Sequence, residues 1–465
     1  MTATPRRLSQ NDLGGDFDVY SKYIFDEVPK DHIPEVGMDG RAAYMMVHGE
    51  LELDGNPMLN LASYVTTWME DEANKLAMES INKNLVDKDE YPRTEVIQRR
   101  VMAMISQLCN APEGNEVAGT ATVGSSEEIM LGLLAHKWSW RARREAAGLP
   151  TDKPNVVYSG LVHTCWEKAA KYFDLEPRVV PVDPERTYLH GDDLAAFVDE
   201  NTVAVGAIVG NTFTGQVDDV ASLDAALQKI QEEKGWFVPI HVDGASGGFV
   251  APFVAPDVVW DFRLEHVRSI NLSNHKFGLV YAGMGTVVFR DRSDVPDELV
   301  FDITYLGGSA PTYSLNFSQS SVGTVLQYFQ FLRLGRKGFE LVMNAAAENA
   351  RYLQEKLEAY GHFTFLNDGS FMPVLAFKLT DPEAHEHTVY DISDGLRAEG
   401  WIVPAYPLPP NGQETNVLRI VVKDDFSRAL IDLFLESMDT VLGRLGGQLE
   451  PPSAAAAAKK ARPIC

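Results

Sequence analysis

The chain has 465 residues, beyond the size at which one hydrophobic core keeps growing, so two or more domains are expected. Its 41 basic and 66 acidic residues leave a net charge of −25, which sets it against nucleic acid and anionic membranes as partners. A content of 45% hydrophobic and 23% charged residues is ordinary for a soluble enzyme. No stretch approaches the ~20 apolar residues of a membrane span, and residues 1–15 lack the apolar core of a signal peptide. Three cysteines, Cys109, Cys165 and Cys465, are too few and too oddly spaced for a disulfide framework or a zinc site. The expectation is a reduced, soluble, cytoplasmic protein without a metal.

In chain order, residues 1–40 read as an acidic arm without a clear strand. Residues 70–84 are helical in pattern, with Leu76, Ile81 and Leu85 on one side, and 94–108 give another helix after Tyr91-Pro92. A helix over 127–147 ends at Gly148 and Pro150. Then strands are expected at 155–158, 178–182, 203–209, 237–242 and 285–290, with a helix at 164–173. Short apolar strands separated by helices indicate a mostly parallel sheet covered on both faces. Helices over 323–336 and 339–360 lead to a second unit with strands at 371–379 and 416–422 and a helix at 391–399. A last helix, 426–445, carries Leu430, Phe434, Met438, Val441 and Leu445 on one stripe. The division expected is 1–59 as an N-terminal helical arm, 60–340 as a large domain, 341–448 as a small one, and 449–465 as a loose tail.

Chemistry concentrates on the expected sheet edges. Ser273-Asn274-His275-Lys276, opening into Phe277-Gly278-Leu279, looks like the cofactor-bearing lysine of a pyridoxal-phosphate enzyme, where the amine forms a Schiff base with an aldehyde. Such a site must also hold a phosphate dianion. Gly124-Ser125-Ser126 opens a helix, where backbone amides and hydroxyls can donate to phosphate oxygens, and Ser273 and His275 can add to them. The same turn also reads as a plain N-cap with a capping-box acid. His241-Val242-Asp243-Gly244-Ala245 closes an apolar strand, which puts Asp243 at the C-terminal edge, on the same face as His241. Asp243 suits a protonated pyridine nitrogen, and also suits a strand-end turn. His163 follows another strand and can stack on an aromatic ring or serve structure alone. Thr212 offers a hydroxyl after a buried strand. Each feature has a bland reading; their order along the chain favours one site.

With these residues the chain resembles the PLP-dependent group II decarboxylases of fold type I, and the glutamate decarboxylases among them. The resemblance runs from Asn60-Leu61-Ala62-Ser63-Tyr64 and Glu90-Tyr91-Pro92, through Gly124-Ser125-Ser126-Glu127 and the Asp243 and Lys276 motifs. It continues to Tyr305-Leu306-Gly307-Gly308, Asn316-Phe317-Ser318 and the run from Phe331 to Arg336. It implies an α/β fold with a mostly parallel seven-stranded sheet flanked by helices, a smaller α+β domain, and conversion of L-glutamate to 4-aminobutanoate and CO₂. It implies that Lys276 holds pyridoxal 5'-phosphate, Asp243 keeps its ring nitrogen protonated, and His163 stacks on the ring. Ser125, Ser126, Ser273 and His275 would hold the phosphate, with Ser318 added from a neighbouring subunit and Thr212 touching the ring. Tyr305 would return a proton to the carbon that loses CO₂.

For substrate, the resemblance implies that Ser63, Tyr64 and Asp87 recognise the distal carboxyl, a partner subunit contributing, and that Arg419 pairs with the α-carboxylate. An aspartate against a carboxylate implies a shared proton and acid-favoured activity. A homo-oligomer is implied, a dimer at least and a hexamer by analogy with bacterial relatives. The C-terminus, Arg462-Pro463-Ile464-Cys465, lacks the terminal histidine of acid-resistance members. With three basic residues and no Trp in this tail, calmodulin is not an expected partner. Two alternatives stay open: action on another amino acid by decarboxylation or carbon–carbon cleavage, and a non-catalytic fold relative.

Overall fold

A strand buried at every position, as Thr202–Ile208 is, exists only where helices cover both faces of its sheet. The computed structural model describes residues 30–183, 185–303, 310–367 and 369–446. The chain divides after Asn56. In the first unit α1 (Gly40–Leu51) starts at Asp39, whose carboxylate accepts from the Arg41 amide at 3.0 Å.

The second unit begins with α2 (Asp71–Ser80) and α3 (Pro92–Leu108), then β1 (Ala118–Thr122) and α4 (Ser125–Ala146). Next come β2 (Asn155–Ser159), α5 (Thr164–Tyr172), β3 (Glu176–Val180), β4 (Thr202–Ile208) and α6 (Val220–Lys234). After β5 (Ile240–Asp243) and α7 (Ala251–Val254) lie β6 (Val267–Leu272), β7 (Gly285–Phe289) and the small pair β8 (Phe301–Ile303) and β9 (Ala310–Thr312). The chain then runs through α8 (Val322–Glu358), β10 (Phe363–Phe365), β11 (Val374–Leu379), α9 (Val389–Ala398), β12 (Ala405–Pro407), β13 (Asn416–Val421) and α10 (Arg428–Leu445).

The main sheet has seven strands in the order β1-β7-β6-β5-β4-β2-β3. From β6 to β3 the neighbours are parallel, and β7 runs antiparallel to β1 and β6. This is the expected α/β architecture with its mostly parallel seven-stranded sheet. Period-2 alternation sorts the faces. Val205, Ala207, Ile240, Val242, Ile270 and Leu272 join the core with α3, α6 and the start of α8, while Ala204 and Ile208 pack under α4 and α5. A second, four-stranded sheet, β10-β11-β13-β12, is antiparallel throughout and shares its own core with α9, α10 and the end of α8.

Several sequence expectations need correction. The first helix of the second unit stops at Ser80, and Ile81, expected on its apolar side, is 63% exposed. The strand expected at 178–182 lies at Glu176–Val180, because Pro181 has no N–H to continue the ladder. The strand expected from 237 starts at Ile240, just beyond Pro239. The two helices expected at 323–336 and 339–360 are both present within α8, broken at Gly335, whose φ of 59° and ψ of −177° are non-helical. Residues 1–29, Tyr305, Cys465 and the tail from 447 lie outside the described residues.

Candidate active site

Parallel strands leave a crevice at their C-terminal ends, where loops and helix starts meet. Here a cavity of about 380 Å³ opens there, lined by the Gly124-Ser125-Ser126 turn, His163 and Cys165 at the start of α5, and Thr212 after β4. Asp243 at the end of β5, Ser246, His275 and Lys276 complete the wall. The structure thus brings Ser125, Ser126, His163, Thr212, Asp243, His275 and Lys276 together, from five separate segments of sequence.

Lys276 sits in a turn closed by its amide donating to the Ser273 carbonyl at 2.9 Å. Thr66 Oγ1 donates to the Lys276 carbonyl at 2.8 Å and the Thr66 amide donates to that of His275 at 2.8 Å, so the turn is pinned from residue 66. Lys276 Nζ donates to Ser246 Oγ at 3.2 Å and stands 5.2 Å from the centre of the Tyr64 ring. Burial holds its amine below the usual lysine range, partly offset by the Asp243 carboxylate. A larger neutral fraction makes a better nucleophile.

Asp243 is oriented by three donors. Trp166 Nε1 donates to its Oδ2 at 3.0 Å, and Asn271 Nδ2 and the Ala245 amide both donate to its Oδ1 at 3.1 Å. His241 shares its face: Nε2 donates to Asn271 Oδ1 at 2.9 Å, so Nδ1 accepts from Ser269 Oγ at 2.6 Å. Burial keeps this imidazole neutral by pushing its pKa down, against the pull of Asp243. Small residues make the room. A side chain at Gly132 of α4 would strike His241, and one at Gly206 would strike Trp166.

At the anion end, α4 begins at Ser125 after Gly124, whose φ of 146° favours glycine. Ser273 Oγ is buried and has no hydrogen-bond partner among the described residues. His275 Nδ1 donates to the Met284 carbonyl at 2.6 Å, leaving Nε2 as its acceptor. Glu127, readable as a capping-box acid, does accept from the Val123 amide at 3.0 Å, but its other contacts tether residues 315 and 316. His163 caps α5 through Nδ1, which accepts from the Cys165 amide at 3.3 Å; burial lowers its pKa.

The substrate candidates divide. The Tyr64 ring contacts Lys276 on one hand and the Arg419 guanidinium, 5.0 Å from its centre, on the other. Arg419 donates to the carbonyls of Thr212 and Ala62, while its buried Nε and the Tyr64 hydroxyl lack partners among the described residues. Ser63 Oγ accepts from the Val65 amide at 3.1 Å. None of Ser63, Tyr64, Asp87, Ser273, Ser318 and Arg419 lies on the cavity wall, and Asp87 and Ser318 share no described contact with Lys276 or Arg419. They lie on adjoining segments, joined where the Leu85 amide donates to the Gln319 carbonyl at 2.8 Å and Asn84 Nδ2 donates to Ser318 Oγ at 3.5 Å.

Sequence reasoning missed Trp166, Asn271, Ser246, Cys165 and Glu128. Cys165 Sγ lies 2.9 Å from both Ser126 Oγ and His163 Nδ1. Asn271 had one available signal: it lies two residues before Ser273, and alternation puts it beside Asp243.

Comparison with known proteins places these residues in context. A family model described as the pyridoxal-dependent decarboxylase conserved domain matches residues 39–380. Glutamate decarboxylase 5 of Arabidopsis thaliana is 48% identical over 92% of this chain and 86% of its own length. A glutamate decarboxylase of Petunia hybrida is 47% identical over 95% and 88% respectively. Among solved structures, a Lactobacillus brevis glutamate decarboxylase superposes with a TM-score of 0.88 at 41% identity, covering 91% of this chain and 96% of that one.

Proposed function

The chain belongs to the pyridoxal-dependent decarboxylase family, among its glutamate decarboxylases, and from that premise we propose that it converts L-glutamate to 4-aminobutanoate and CO₂. The observation that carries this reading is the alignment of Lys276, Tyr64 and Arg419: an amine with a depressed pKa shares one aromatic ring with a guanidinium.

The cavity fits pyridoxal 5'-phosphate. The Ser125-Ser126 hydroxyls and the α4 N-terminus suit a dianion at one end, with the buried, orphaned Ser273 hydroxyl in the turn before His275, and an oriented Asp243 carboxylate suits a ring N–H at the other. The cofactor supplies an aldehyde for amine exchange and a protonated ring that accepts the electron pair left by departing CO₂. Within that chemistry Lys276 holds the cofactor, and Asp243 holds the proton on the ring nitrogen. Ser125, Ser126, Ser273 and His275 bind the phosphate, while His163 and Thr212 flank the ring. Arg419, with a buried unpartnered Nε, orients the α-carboxylate. Removing CO₂ replaces a carbon–carbon bond by C–H, so every turnover takes up one proton.

Asp87 and Ser318 support an oligomeric reading, because they share a patch away from their own chain's Lys276 and can serve a second copy. We assign the protein to the cytoplasm, as a homo-oligomer that does not engage calmodulin. Among the described residues no helix is long and apolar enough to cross a membrane. The test is incubation of the PLP-loaded protein with glutamate, aspartate and aromatic amino acids at acid and neutral pH, measuring CO₂ and amine. Faster CO₂ release from any other amino acid, or none from glutamate, refutes the substrate assignment.

A further inference from the structure

One buried acid under the cavity has no task in the reaction above. Glu128, in the first turn of α4, is fully buried, and its carboxyl occupies the space that Gly285 of β7 leaves open. Its Oε2 accepts from Asn271 Nδ2 at 3.0 Å, the same nitrogen that donates to Asp243 Oδ1. Its Oε1 lies 3.0 Å from Thr122 Oγ1, which also accepts from the Gly124 amide at 3.3 Å. Glu128 therefore touches both ends of the cofactor site, the Asp243 end through Asn271 and the phosphate end through Thr122 and Gly124.

The groups facing it decide its charge. Asp243 of β5 brings a second carboxyl to the same amide nitrogen. His241 of β5 and His136 of α4 are both pushed towards neutrality by burial. Lys276 contributes a positive charge, but its Nζ is bonded to Ser246. No salt bridge reaches Glu128 among the described residues. Two carboxylates cannot both stay ionised cheaply in such a layer. Burial raises the Glu128 pKa well above the carboxylate range; the Asn271 and Thr122 hydrogen bonds and the Lys276 charge pull against it, and Asp243 adds to the rise. A protonated Glu128 keeps both contacts: Oε2 accepts from Asn271, and the Oε1···Thr122 Oγ1 contact is made by either hydroxyl donating to the other.

We propose that Glu128 is a positioning residue of the cofactor site, an uncharged acid that holds the Asn271 amide against Asp243 and steadies the Gly124 turn through Thr122. Asp243 then remains the single negative charge of the layer, available to the ring nitrogen. The proposal rests on pyridoxal phosphate occupying this cavity.

Glu128→Gln keeps an acceptor for Asn271 and a donor for Thr122; Glu128→Leu removes both at similar volume. Infrared spectra of the unloaded protein at neutral pH should contain the carbonyl stretch of a protonated carboxylic acid that disappears in Glu128→Gln. On the loaded protein, PLP affinity and the pH midpoint of the visible absorption band are measured. Glu128→Gln should leave the Kd within roughly threefold of wild type with the midpoint unmoved, and Glu128→Leu should raise it roughly tenfold with a shifted midpoint. The idea fails if no acid band is lost in Glu128→Gln, if Gln shifts the midpoint as far as Leu does, or if Leu behaves as wild type. Should the Leu variant not fold, the Gln spectrum and midpoint decide alone. Failure of the wild type to take up PLP overturns the proposed function instead, and the infrared result still reports on Glu128.

Discussion

Replacing Tyr64 by Phe should move stability and substrate binding in opposite directions. The Tyr64 side chain is 7% exposed, and its hydroxyl is buried with no partner among the described residues. Burial pushes its pKa up, so it stays a neutral O–H with nothing to donate to. Such a group costs about 1–3 kcal/mol of desolvation. Phe removes that cost and keeps the ring between Lys276 and Arg419, as well as its edge contact with Phe277. The unloaded Tyr64→Phe protein should therefore gain up to about 2 kcal/mol, a rise of up to roughly 2 °C in Tm. With substrate present the sign reverses. A hydroxyl donating to a carboxylate is worth about 1.5–3 kcal/mol, so KM for glutamate should rise about 10- to 100-fold. The assay is a melting curve without ligand beside a KM determination. A lower Tm in the unloaded variant refutes the first half, and an unchanged KM refutes the second.

Asp218 donates nothing and accepts from the amides of Leu189 and Ile208 at 2.7 Å each, and burial raises its pKa from 3.8 to about 7. The folded chain then holds a proton that the unfolded chain has lost between those values, so its contribution to stability is present below pH ~4 and declines up to pH ~7. Asp218→Asn should flatten that slope in pH-dependent melting. Gly206→Ala would bring a methyl 2.5 Å from Trp166 Cη2, tilting the indole N–H off Asp243. PLP affinity should fall roughly tenfold in dialysis against free PLP, and an unchanged Kd contradicts the role given to Trp166. If Asp87 serves a neighbour's site, mixing Lys276→Ala and Asp87→Asn chains after dissociation should restore about a quarter of wild-type activity, since half the dimers gain one intact site of two. No restoration counts against the shared site.

The parts of the sheet legible in sequence were those whose both faces are apolar. Thr202–Ile208 advertises itself because Val205 and Ala207 meet one core while Ala204 and Ile208 meet another. Val267–Leu272 sits beside the site and is buried at every position but Arg268, yet it escapes a hydrophobic pattern search. Its Ile270 and Leu272 face the common core, but Ser269 and Asn271 face α4, where His136 and Glu128 answer them in hydrogen bonds. A buried polar layer looks like a surface when only residue types are read. For the same reason Asp243 was legible as a strand-end acid, but its donors were not: Trp166 reads as ordinary core in a helix, and Asn271 as the exposed side of a strand.

That layer also explains why Lys276 could be named from its own motif while the residues that tune it could not. Under the proposed function the motif marks which amine reacts, and local turn chemistry carries it. The state of that amine is set first by its burial and then by Asp243, which is remote in sequence and meets it only when β5 and the starts of α4 and α5 close around one cavity. Gly132, Gly206 and Gly285 are where this closeness is written, since each leaves the space for a polar or aromatic side chain of another element. A substitution that fills any of the three should disturb cofactor binding before it disturbs folding of the sheet, because the first atoms it meets are His241, Trp166 and Glu128.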